Sequence, residues 1–201
     1  MSLPPHRPAV TNPVVEGPAV AGPVAGQPTR LWRLAPARYD PLSGEGARRF
    51  GGRWTSPGRP AVYLASQLSL AVLEVLVHVD RDTLPLDLAA FAVDVPAALG
   101  TPDDWMSAEP PALPDGWRAV AQPAACRAVG DVWLTAPVTQ RRALLRVPSA
   151  VLPDWAESTG AGLADGCWCA VLDPSHPDAT RVTVAAHHPF AFDRRLQAER
   201  Q

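Results

Sequence analysis

The sequence predicts an α+β domain, a compact mixed sheet with few helices. Short apolar runs recur along the chain, and proline, glycine or aspartate cuts most of them off, which is the pattern of strands. Helical signal is confined to one strongly apolar segment, Leu70–Val79, and a short piece within Gln122–Leu134. That is too little for a regular alternation of strand and helix.

The elements follow in chain order. Residues 1–29 are rich in Pro, Gly, Ala and Val, with prolines about every five residues from Pro8 to Pro28. This spacing opposes both helix and paired strand, so the segment reads as a disordered or polyproline-like tail ahead of a single domain over residues 30–201. Leu31–Leu34 alternates like a strand, with Arg33 directed opposite its apolar neighbours. Residues 40–53 form a polar turn region whose Gly44, Gly46, Gly51 and Gly52 permit close backbone approach to a ligand. Their spacing is not that of a Rossmann loop. Ala61–Ala65 reads as a buried strand, and Ser66 and Ser69 are N-cap candidates for the helix that follows. Asp87–Pro96, Ala143–Pro148, Trp168–Leu172 and Val182–Ala186 complete the strands, separated by a proline-broken stretch to about Trp117 and a small-residue loop over residues 154–166.

The apolar helix carries two polar residues, Glu74 and His78, four apart and therefore on one face. A helix apolar almost all round reads as buried, and a carboxylate there needs a partner or a shifted pKa. Arg53 and Arg59, just upstream, are the nearest candidates. Two readings stand side by side. Glu74 pairs with an arginine and only fixes the packing, or Glu74, Arg53 and Tyr63 line a cleft that holds an anionic ligand, stacks on its ring and stabilises a cation.

Composition narrows the functions. The chain has 201 residues, 47% of them hydrophobic, and a net charge of −2, which gives no general attraction to nucleic acid or anionic membrane. All 18 basic residues are arginine. Schiff-base and P-loop lysines are therefore excluded, and anion binding falls to guanidinium and backbone N–H groups. Cys126, Cys167 and Cys169 are too few and too oddly numbered for a disulfide framework. The N-terminus lacks the apolar stretch of a secretory signal, and no run is long enough to span a membrane. A cytoplasmic protein is expected.

Other groups give weaker signals. Ser149 sits in VPSAV rather than a nucleophile elbow, so it reads as a turn cap or hydrogen-bond donor, with a ligand contact from its hydroxyl at the end of a strand as the other reading. Cys167 and Cys169 with His187 and His188 do not have common zinc-ligand spacing; the histidines read as part of a late loop, and no metal is expected. Trp54, Trp105, Trp117 and Trp133 read as core aromatics, and Tyr63 as either core or ligand contact.

Read together, LWRL, SGEGARRFGGRWTSPGRPAVYLAS, LAVLEVLVH, GDVWL, LLRVPSAV, DPSHPD and FAFDRRL resemble the RES-domain family over residues 30–196. GGRW followed by PGxPxVY is its most distinctive part. The resemblance implies a fold similar to ADP-ribosyltransferase toxins. It implies a type II toxin that depletes NAD by cleaving the nicotinamide–ribose bond, through phosphorolysis or hydrolysis, with NAD as substrate and no cofactor. The family's name residues map to Arg53, Glu74 and Ser149, its tyrosine to Tyr63 and its first arginine to Arg33. In that assignment Arg53, Glu74 and Ser149 are catalytic, and Arg33, Arg53, Tyr63 and Ser149 bind substrate. The implied partners are an Xre-type helix-turn-helix antitoxin, inorganic phosphate as an alternative acceptor, and a second copy in a homodimer; DNA binding would belong to the antitoxin.

Two departures accompany the resemblance. Cys169 and Asp173 stand where the family usually carries asparagine, and the loop over residues 154–166 is longer than usual. They keep two other readings open: ADP-ribosyl transfer to a macromolecule, and a degenerate interaction module of the same fold.

Overall fold

A computed structural model describes residues 26–80, 84–105, 113, 116–119, 124–152 and 167–196. The tail up to residue 25 and the 154–166 loop lie outside them. Among the described residues the chain forms strands β1 (Thr29–Pro36), β2 (Val62–Ala65), β3 (Leu88–Val95), β4 (Leu144–Pro148), β5 (Trp168–Leu172) and β6 (Thr183–Phe190). Helices α1 (Glu45–Phe50), α2 (Leu68–Leu76) and α3 (Ala124–Thr135) lie between them, with short 3₁₀ turns. The strands make one sheet in the order β4-β5-β2-β1-β3-β6, and every pairing is antiparallel.

Side chains alternate across a strand, so this sheet has two apolar faces. On one, Leu31, Val62, Leu64, Phe91, Val93 and Leu172 meet Leu99, Trp105 and Val182. On the other, Leu34, Ala65, Ala90, Val147 and Val171 pack against Ala47 of α1, Leu70 and Ala71 of α2 and Cys126 of α3. All three helices therefore lie on one side of the sheet. Complete burial of the central strands, as in Trp168–Leu172, is why they read as continuous apolar runs.

One seam in the sheet is weak. β1 pairs with β3 along its whole length, from Thr29 opposite Val95 to Pro36 opposite Leu88. With β2 it pairs only at Trp32 and Ala65. Beyond that point the two strands part, and the Arg33 Nη1 donates to the Tyr63 carbonyl at 3.1 Å. A guanidinium thus bridges a gap where backbone donors and acceptors no longer meet.

Three expectations need correction. The apolar helix begins at Leu68 and ends at Leu76, and its N-cap is Gln67, with no side-chain cap from Ser66 or Ser69. It is not buried all round: only Leu70 and Ala71 are fully buried, while Leu73 and Val77 are 40% and 57% exposed. The helix covers the sheet with a single face, so apolar periodicity could not say which residues meet water. The last strand runs to Phe190 rather than Ala186, because β3 pairs with it to Leu88 across an irregularity at Ala92/Val93. His187 and His188 therefore sit in an edge strand rather than a loop, and His187 stacks on Phe91 with ring centroids 5.9 Å apart.

Candidate active site

A cleft of about 850 Å³ opens on the helical side of the sheet. It lies where β1 and β2 part, walled by the α1–β2 loop, α2, α3, the C-terminal end of β4 and the N-terminal end of β5. This volume falls within the usual range for small-molecule sites, about 300–1,000 Å³.

The loop carrying Arg53 is built on two close approaches. Gly51 leaves α1 at φ 72°, a left-handed conformation that favours glycine. A Cβ on Gly52 would lie 2.4 Å from the Tyr63 hydroxyl, so only glycine lets the phenol reach the loop. That hydroxyl accepts from the Trp54 N–H at 3.2 Å and shares a hydrogen bond with Thr55 Oγ1 at 2.9 Å. The Tyr63 ring therefore walls the cleft while its hydroxyl holds the loop. Burial raises the Tyr63 pKa, partly offset by these hydrogen bonds.

Helix α3 clamps the same loop from the other side. A Cβ on Gly130 would come within 1.9 Å of the Trp54 carbonyl oxygen, so the helix rests directly on loop backbone. Next to it, Asp131 Oδ1 accepts from the Ser56 N–H at 2.9 Å. Arg127 Nε donates to the Gly52 carbonyl at 3.3 Å, and Arg59 donates to the Leu134 carbonyl at 3.3 Å. The GDVWL segment is thus the support for the arginine loop.

Arg33, Arg53, Tyr63 and Glu74 all line this cleft. Arg53 Nη1 donates to the carbonyls of Trp117 and Ala119, at 2.6 and 3.1 Å. Among the described residues, the buried Arg33 Nε has no hydrogen-bond partner. Burial lowers its pKa to about 10, with some restoring attraction from Asp40. A guanidinium held this way has both charge and donors to offer an incoming anion.

Glu74 takes neither arginine expected from the sequence. Its Oε1 accepts from Ser149 Oγ at 2.6 Å and from the Cys169 thiol at 3.7 Å. Arg53 is directed to the 117–119 carbonyls and Arg59 to the end of α3, while the turn after β4 brings Ser149 to α2. Ser149 is buried at 3% exposure and fixes the carboxylate from behind. Burial first, and then the Glu74 charge, push the Cys169 thiol pKa well above its usual value.

The departures at Cys169 and Asp173 have separate places. Cys169 lines the cleft. Asp173 is buried outside it, ion-paired to Arg141 at 2.6 Å with both side chains under a tenth exposed. The HPD segment beyond it is also structural: His176 Nδ1 accepts from the Asp178 N–H at 3.1 Å and caps the turn that follows.

Sequence reasoning missed Arg118 and Arg127, which also line the cleft. Arg118 donates to the Leu152 carbonyl and stacks over Trp117, 4.4 Å from the ring centroid. The only signal for them was the arginine-only basic composition. Phe50, 78% exposed, and Val77 form an apolar rim at the mouth. The cleft is lined by the Glu74 carboxylate and by Arg33, Arg53, Arg118 and Arg127, beside an aromatic wall. No helix among the described residues is long and apolar enough to cross a membrane.

Comparison with known proteins identifies the family. Residues 30–193 match the RES domain family. A Toxin Res of Photorhabdus laumondii is 40% identical over 125 residues, covering 61% of this chain and 75% of that protein. A Prs ADP-ribosylating toxin of a Sphingobium species is 34% identical over 178 residues, covering 84% and 96%. The NAD(+) phosphorylase MbcT of Mycobacterium tuberculosis is 53% identical over 45 residues, 22% of this chain and 24% of that one. A chain in the crystal structure of the M. tuberculosis MbcT–MbcA toxin–antitoxin complex shares the fold at a TM-score of 0.51 and 22% identity, covering 83% of this chain and 86% of that one. With its family match spanning nearly all of the described domain, the chain belongs to the RES domain family.

Proposed function

We propose that this protein is an NAD-degrading enzyme and the toxin of a toxin–antitoxin pair. The observation that carries the proposal is the Glu74 carboxylate, held at 2.6 Å by Ser149 and set in a cleft otherwise charged by arginine. Cleaving the nicotinamide–ribose bond sends its electron pair to nicotinamide, which leaves neutral, and builds positive charge on the ribose C1′ and ring oxygen. A fixed carboxylate stabilises that charge or orients a ribose hydroxyl. Arg33 and Arg53 hold the pyrophosphate, Tyr63 walls the nicotinamide, and Ser149 keeps Glu74 in place. The acceptor then bonds to C1′. Water gives ADP-ribose and a proton; inorganic phosphate gives the ribose 1-phosphate ester.

Likeness to MbcT over 45 residues supports the phosphate route, and the basic cleft is suited to a second anion. Likeness to the Prs ADP-ribosylating toxin supports a second reading, in which a protein side chain is the acceptor. The fold shared with the MbcT–MbcA complex supports an antitoxin partner, for which an Xre-type helix-turn-helix protein is our expectation.

Incubating the purified protein with NAD, with and without phosphate, tests the proposal by product. Free ADP-ribose identifies hydrolysis, its 1-phosphate identifies phosphorolysis, and label retained on an added protein identifies transfer. Intact NAD in all three reactions would leave the degenerate interaction module.

A further inference from the structure

Cys169 stands in β5 between two partners, opposite Ala65 of β2 and opposite Val147 of β4. Its backbone is therefore fixed from both sides. The side chain is 7% exposed and faces the cleft. Sγ lies 3.7 Å from Glu74 Oε1, within reach of an S–H···O bond, and the same oxygen accepts from Ser149. A carboxylate oxygen has two lone pairs, so one atom can take both donors. Glu74 Oε2 accepts no hydrogen bond among the described residues.

We propose that Cys169 is a positioning residue for the carboxylate: its thiol, with the Ser149 hydroxyl, pins Oε1 against the sheet and turns Oε2 into the cleft. Two donors, one on β5 and one just after β4, fix the rotation of the carboxylate, where one would leave it free to turn. The thiol stays protonated through the physiological range, because burial and the neighbouring negative charge both oppose the thiolate. It serves as a donor and does not act as a nucleophile. The inference deepens the reading of Glu74 given above and rests on it for its catalytic consequence.

Two measurements test it. In nicotinamide release, Cys169→Ala lowers kcat about fivefold to tenfold and leaves KM within about twofold, the size expected for one weak hydrogen bond. Cys169→Ser, which keeps a donor, restores kcat. Wild-type kcat in Cys169→Ala, or equally low kcat in a folded Cys169→Ser, overturns the proposal. The second measurement needs no turnover. The Cβ resonance of Cys169 in ¹³C-cysteine-labelled protein is followed against pH in wild type and Glu74→Gln. The thiol titrates at lower pH in Glu74→Gln if the carboxylate is its neighbour, and an unchanged midpoint overturns the contact. A wild type that leaves NAD intact defeats the proposed function, while this titration still decides the contact.

Discussion

Ser149 Oγ donates to Glu74 Oε1 at 2.6 Å, although 75 residues separate them in the chain. The bond ties the end of β4 to the last turn of α2, and it makes the serine a holder of the acid rather than a nucleophile. Ser149→Ala leaves the carboxylate with the thiol alone. A hydrogen bond to a charged group contributes about 1.5–3 kcal/mol, so kcat for NAD cleavage falls about tenfold to a hundredfold with KM nearly constant. Steady-state kinetics check this, and an unaltered kcat contradicts the holding role.

Arg33 is expected to serve binding at the expense of stability. Its buried Nε has no partner among the described residues, and burial has already lowered its pKa to about 10. An apolar residue of similar length removes that cost. Relief of that cost is set against loss of the donor to the Tyr63 carbonyl, so Arg33→Met melts within a few degrees of wild type, while NAD affinity falls about tenfold or more with the loss of a charge-assisted contact. Thermal melts and calorimetric titration measure the two effects. A clear loss of stability, or wild-type affinity, goes against this account.

Gly130 is the contact point between α3 and the Arg53 loop. A Cβ there meets the Trp54 carbonyl oxygen at 1.9 Å, so Gly130→Ala pushes the helix off the loop. The expected cost is about 1–3 kcal/mol in denaturant unfolding, with loss of NAD cleavage. Wild-type stability in this variant is the contrary result.

The two tyrosines titrate on opposite sides of their usual pKa. A hydrogen bond with Arg38 lowers that of exposed Tyr39, whereas burial raises that of Tyr63. Phenolate absorbance therefore rises in two steps, and Tyr63→Phe removes the later one. The sign for stability follows by linkage. As pH climbs past the ordinary phenol value the unfolded chain ionises Tyr63 first, so the folded state loses stability until its own higher pKa is passed. Tyr63→Phe flattens that part of the curve, and a single tyrosine step contradicts the assignment.

How far the sequence reached is clear from particular residues. Trp168–Leu172 was legible because every side chain in it is buried, and Ala61–Ala65 was off by a single residue. Arg53, Tyr63 and Glu74 were read as neighbours from their closeness in the chain, and they do share the cleft. The partner of Glu74 was not legible from local spacing, because Ser149 and Cys169 arrive by long-range sheet pairing. Nor could the pattern show that α2 has an exposed side, or that Gly130 and Asp131 support a loop far away in sequence. Apolar periodicity records burial, and tertiary contact decides which polar groups meet.

The most direct test of the central claim is nicotinamide release from NAD by the full chain, compared between wild type and Glu74→Gln. Glutamine keeps the shape of the side chain and removes the charge. The account predicts release by wild type and a loss of about a hundredfold or more in the variant, with the circular dichroism spectrum unchanged. Equal rates in the two proteins, or no release by wild type, would contradict it.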